Sequence, residues 1–176
     1  QPTYNHGVSV QLTAIAGTGY TFTGWSGDTT GTMNPFTKIM NGNKSYTATF
    51  TINTYTLSTA VTGSGSVNRN PSQATYNHGT SVQVTAVPGT GYHFVNWSGD
   101  TTGTTNPFTV VMNGNKSYTA NFAINTYTLT VNTVGSGSVT KNPDQPTYDH
   151  GTSVQLTAVP GFGYHFNNWT GDTTGT

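Results

Sequence analysis

Hydrophobic and polar residues alternate with a period of two along most of the chain, and no segment carries helical spacing. In the middle of the chain, Tyr55 and Leu57 alternate with threonine; Tyr127, Leu129 and Val131 do so further on. Gly63-Ser64-Gly65 predicts a tight reversal into Ser66-Val67-Asn68, and Asn70-Pro71 ends that hairpin, because proline interrupts a ladder. Tyr76-Asn77-His78-Gly79 reads as a turn into a strand whose Val82, Val84 and Ala86 share one face. Pro88-Gly89 predicts a type II turn, with Pro fixing φ and Gly accepting a positive one. Tyr92 and Phe94 alternate, but Trp97 is one step out of phase, which predicts a bulge that re-aims the indole. Phe108, Val110 and Met112 form another alternating run, and Asn113-Gly114 signals a hairpin into Tyr118, Ala120 and Phe122. The expectation is an all-β unit of about six short strands.

The same pattern recurs at a fixed spacing. Tyr4, Tyr76 and Tyr148 stand 72 residues apart, as do Trp25, Trp97 and Trp169, with no insertion or deletion between them. A fixed long period means an array of similar modules, each packed mainly against its neighbours. The division read from the sequence is residues 1–53 as the C-terminal part of one repeat, 54–125 as a complete repeat, and 126–176 as the N-terminal part of a third. The expected origin is a window on a longer array; the competing expectation is that the two partial copies complement each other between molecules. A unit of this size with no disulfide is marginal alone, so packing between neighbours should contribute. Ile52 and Ile124, each at the centre of a short joint, are the expected inter-repeat junction residues of a semi-rigid rod, roughly 25–30 Å per module.

Composition narrows the partners. Only 6% of the 176 residues are charged; five Asp balance five Lys and Arg, and there is no Glu. Nucleic acid and anionic membranes both call for clustered Lys and Arg, so neither is an expected partner. No apolar run approaches the ~20 residues of a membrane-spanning helix. The 12% aromatic content and the regular Val and Leu positions argue for a packed core rather than disorder. There is no cysteine, which excludes disulfides, thiol catalysis and thiolate metal sites.

Several residues invite chemical readings. Trp25, Trp97 and Trp169, with Tyr20, Tyr92 and Tyr164, could stack on sugars; their strand alternation in every copy favours a structural core instead. The loop Asp100-Thr101-Thr102-Gly103-Thr104-Thr105-Asn106, repeated after Asp28 and Asp172, is rich in oxygen but offers one carboxylate where calcium loops supply several. Its Asp is expected to bond its own loop backbone. His6, His78 and His150 fall in turns, and His93 and His165 on a strand; surface and turn roles are expected, and no metal or other cofactor. With no nucleophile elbow and no paired carboxylates, no catalytic residue is expected and the chain reads as a non-enzyme.

The run from Gly79 through Asp100, with its Gly-Tyr-x-Phe-x-x-Trp-x-Gly pattern, the following Asn106-Pro107 and the closing Tyr118-Thr119-Ala120-Asn121-Phe122, resembles the divergent internalin-type B-repeat family. That resemblance covers the whole chain. It implies tandem all-β modules, β-grasp-like or meandering, in bacterial extracellular or cell-surface proteins. It carries over no catalytic residue. The expected function is a structural stalk or spacer whose partners are its neighbouring repeats. The alternatives are a self-associating extracellular fibre, since the strands carry almost no edge charge, and a glycan-binding module.

Overall fold

The computed structural model describes residues 3–172. The first copy contributes β1 (Ser9–Leu12), β2 (Tyr20–Gly27), β3 (Phe36–Ile39) and β4 (Tyr46–Ile52). The middle copy contains β5 (Thr54–Tyr55), β6 (Leu57–Thr62), β7 (Gly65–Asn70), β8 (Tyr76–Asn77), β9 (Ser81–Pro88), β10 (Tyr92–Gly99), β11 (Phe108–Val111) and β12 (Lys116–Ile124). The third holds β13 (Thr126–Tyr127), β14 (Gly137–Asn142), β15 (Tyr148–Asp149) and β16 (Gln155–Pro160). The fold is all-β, as its alternation requires.

Two three-stranded sheets, ordered β10-β12-β6 and β11-β9-β7, build the middle copy. One buried cluster joins them: Leu57 from β6, Val82, Val84 and Ala86 from β9, Trp97 from β10, and Tyr118, Ala120 and Phe122 from β12, with Tyr76 and Met112. The unit is therefore a small sandwich. β12 pairs β10 antiparallel and β6 parallel (Lys116↔Leu57 to Asn121↔Thr62), so the copy is not a simple meander. The bulge lies where the aromatic spacing placed it: the β10–β12 register shifts between Phe94 and Asn96, turning Trp97 inward.

Three turns differ from their sequence reading. Asn113-Gly114 is not a hairpin, because β11 pairs β9 in one sheet while β12 pairs β10 and β6 in the other. Asn115 fixes this crossing instead, its Oδ1 accepting the Thr56 N–H at 3.0 Å while Lys116 N–H donates to Thr56 C=O. The Gly63-Ser64-Gly65 reversal likewise carries the chain from the sheet of β6 to that of β7. At Pro88-Gly89 the strand runs on through Pro88, and the turn is Gly89–Tyr92, closed by Tyr92 N–H on Gly89 C=O. Its positive φ (74°) belongs to Gly91. The apolar demand of a two-sheet core overrides local hairpin chemistry in each case.

The outer copies form only the ladders whose two strands they contain. The first has β2–β4 and β1–β3, matching β10–β12 and β9–β11, and among the described residues no counterparts of β6 and β7. The third has β14–β16, matching β7–β9. Among the described residues, no strand of one copy is laddered to a strand of another.

Candidate functional site

The shared aromatics form a chain of ring contacts inside the first and middle copies, of which the described third copy keeps the Phe166–Trp169 pair. In the middle copy Phe94, Trp97, Phe108 and Tyr118 follow one another at 5.3, 5.1 and 5.1 Å between ring centroids, tilted or edge-on. The first copy repeats the series as Phe22, Trp25, Phe36 and Tyr46 at 5.4, 4.9 and 5.3 Å. Trp97 donates Nε1–H to Thr105 C=O, and Trp25 donates to Met33 C=O, both at 3.1 Å. Burial, however, differs. Trp97 is 1% exposed, whereas Trp25 and Trp169 are half-buried. Tyr92 is half-buried against the core, while Tyr20 (47%) and Tyr164 (59%) face solvent, contrary to a core role for all six residues. A shallow hollow of about 240 Å³ beside Trp25, Met33 and Phe36 falls below the ~300–1,000 Å³ of ligand pockets.

Polar side chains tie the strands together. Asn106 reaches across to Ala86, accepting its N–H and donating to its C=O, both at 2.8 Å; Asn34 holds Ala14 in the same way. The sequence showed this Asn as the end of the oxygen-rich loop and as part of an Asn-Pro dipeptide, neither of which signals a bridge to Ala86. The Asp100 carboxylate accepts the Ser117 N–H at 2.7 Å, while its own N–H donates to Ser117 C=O. Asp28 does the same at Ser45. The carboxylate therefore grips the start of the strand paired with its own, β12 or β4, instead of its own loop. The continuation of the third such loop, beyond Asp172, lies outside the described residues. Burial, reinforced by the Asp100 charge, pushes the Tyr118 phenol above its ordinary value. Among the described residues no group of three or more His, Asp or Glu side chains converges as a metal site would.

At the repeat boundaries the polar residues take a different arrangement. Asn53 donates its N–H to Gly19 of its own copy and accepts, through its C=O, the N–H of His78 in the next. Asn125 stands likewise between Gly91 and His150, and all four bonds measure 2.8 Å. The Asn side chains are also engaged: Thr21 Oγ1 donates to Asn53 Oδ1 at 2.6 Å, and His93 Nδ1 to Asn125 Oδ1 at 2.8 Å. The two turn histidines at the boundaries each face a tyrosine of their own copy, His78 with Tyr55 at 6.0 Å and His150 with Tyr127 at 6.1 Å. Ile52 and Ile124, the residues expected at this joint, end strands β4 and β12 opposite Tyr20 and Tyr92, directly before Asn53 and Asn125. The hydrogen bond that crosses between copies belongs to Asn and His. The readable signal was the recurrence of Gly, Asn and His at the repeat spacing, which turn chemistry alone seemed to explain.

Comparison with curated proteins and with solved structures found no match. The sequence pattern of the divergent InlB B-repeat domain matches residues 1–54, 55–126 and 127–176, within one residue of the boundaries at Asn53 and Asn125. Three consecutive matches over the full length, on an all-β array that repeats three times, place this chain in the divergent InlB B-repeat family.

Proposed function

We propose that the array is a non-catalytic spacer in a bacterial extracellular or cell-surface protein, its repeats adding length and stiffness between other parts. The single observation that carries this reading is the joint: Asn53–His78 and Asn125–His150 repeat one geometry, bond for bond. A heterologous contact repeated unchanged propagates along a line. Family membership agrees, since the family is not known for catalysis. The test is scattering from chains of two, four and eight repeats. A spacer stays monomeric and lengthens linearly, by roughly 25–30 Å per module. Length that saturates with repeat number sinks the reading.

A fibre is the second reading, favoured by the outer strands β3 and β11. Ile39 (61% exposed) and Val111 (50%) occupy equivalent places one repeat apart, and β11 carries no charge. Negative-stain micrographs of concentrated protein decide between the two, with lateral filaments supporting the fibre. Sugar stacking has less support, because Trp97 presents almost no surface. Pull-down on insoluble polysaccharide is expected to be negative.

A further inference from the structure

The backbone bonds at the joint do not explain why glycine stands at 19 and 91. Both have positive φ, 78° and 74°, which L side chains rarely adopt. Space is the second constraint. A Cβ on Gly19 would overlap the His78 imidazole carbons, and one on Gly91 those of His150. The obstruction comes from the neighbouring repeat and not from the turn. Gly163, the third residue in this series, has φ 79°, yet no atom lies within 4 Å of where its Cβ would be. His78 lies half-buried on its socket with Nδ1 shielded from solvent. Among the described residues no ladder joins one copy to the next, and this contact and the His78–Asn53 bond both span the boundary at Asn53.

We propose that His78 and His150 are latches: each imidazole seats on the glycine turn of the preceding repeat, Gly19 or Gly91, and this seating fixes the angle between successive repeats. The partner surface is thus another repeat of the same kind, recognised by glycine in the socket, asparagine at the pivot and histidine in the plug. The latch rests on the spacer reading, for which it supplies the source of stiffness. It also separates the two histidine classes, since His93 serves the pivot Asn125 within its own copy.

The test uses the whole chain, with residual dipolar couplings collected separately over the first and middle copies and amide exchange followed at residue 78. In the wild type both copies fit one alignment tensor. His78→Ala is expected to split them into two tensors and to speed exchange at that amide by about tenfold, because a crossing bond is then free to open. Gly19→Ala is expected to do the same. Gly7→Ala isolates the backbone strain: Gly7 has φ 86° with nothing within 4 Å of a Cβ, and the single tensor should survive. Gly19→Ala should also cost less in the His78→Ala background than in the wild type, since the clash has been removed. A His78→Ala chain that keeps one tensor and slow exchange overturns the latch but leaves a stiff spacer standing. Separate tensors in the wild type overturn both.

Discussion

Tyr92-His93-Phe94 and Tyr164-His165-Phe166 are the same tripeptide at the same place in the repeat, yet the first lies in strand β10 and the second in no strand. The difference is the partner. β10 is laddered to β12, and the described third copy has no counterpart of β12. Leu129–Val134 repeats the lesson: its counterpart β6 pairs only with β12, and the segment is not a strand, with Val134 fully exposed. β14, whose partner β16 is present, forms its ladder. A strand of this chain is a property of the pair, and β12 is the member with which β6 and β10 both pair. The first copy shows the reverse case. It has its β12 counterpart, and so β2 forms with its ring contacts, but among the described residues no strands equivalent to β6 and β7 cover Trp25.

The largest effect that would break this comparison is removal of the buried indole. Trp97→Ala should cost about 3–5 kcal/mol in urea unfolding, enough to melt the middle copy. Trp25→Ala should cost markedly less because that ring is half-buried; equal losses would refute the difference in burial. Asn106→Ala, which strands both polar groups of Ala86, should cost about 2 kcal/mol. Asn34→Ala should cost the same, since its bonds to Ala14 do not depend on the strands that differ between the copies.

A smaller change tests how β6 is held. Arg69 Nη1 donates to Leu57 C=O at 2.6 Å, tying β7 back to β6. Its counterpart Lys141 instead pairs with Asp144 at 3.0 Å near the surface. Arg69→Met should cost about 1 kcal/mol and raise amide exchange along β6, whereas Lys141→Met should be nearly silent. The smallest effect concerns pH. The folded chain holds the Tyr118 phenol neutral above its ordinary value of 10.0, so the unfolded chain loses that proton first. The stabilisation is whole below pH 10 and drains away as pH rises beyond it. Tyr118→Phe should flatten the fall in stability above pH 10, measured against Tyr46→Phe as its first-copy counterpart.

The strands, the inward Val82-Val84-Ala86 face and the bulge before Trp97 were legible because alternation and its interruption are local. The division of strands between two sheets was not. Asn113-Gly114 and Gly63-Ser64-Gly65 have good hairpin chemistry, and only the global demand to cover both faces of one core turns them into crossings. The parallel β6–β12 pair joins residues about sixty apart in sequence, beyond the reach of any short pattern. The joint was hidden for a different reason. His78 in an Asn-His-Gly turn is sufficiently explained by the turn, and its seat on Gly19 becomes visible only when two copies stand together.

The most direct test of strand interdependence adds a partner and watches an indole. With 5-fluorotryptophan in all three positions, fluorine resonance shifts between light and heavy water report each ring's exposure. Trp97 should be insensitive to the solvent and Trp169 clearly responsive. Appending a copy of residues 105–125 after Thr176 supplies the missing β12 counterpart. Trp169 should then become as insensitive as Trp97, with Tyr164–Gly171 gaining strand-like amide protection. A Trp169 resonance unchanged by that extension would contradict the claim that each strand exists through its partner.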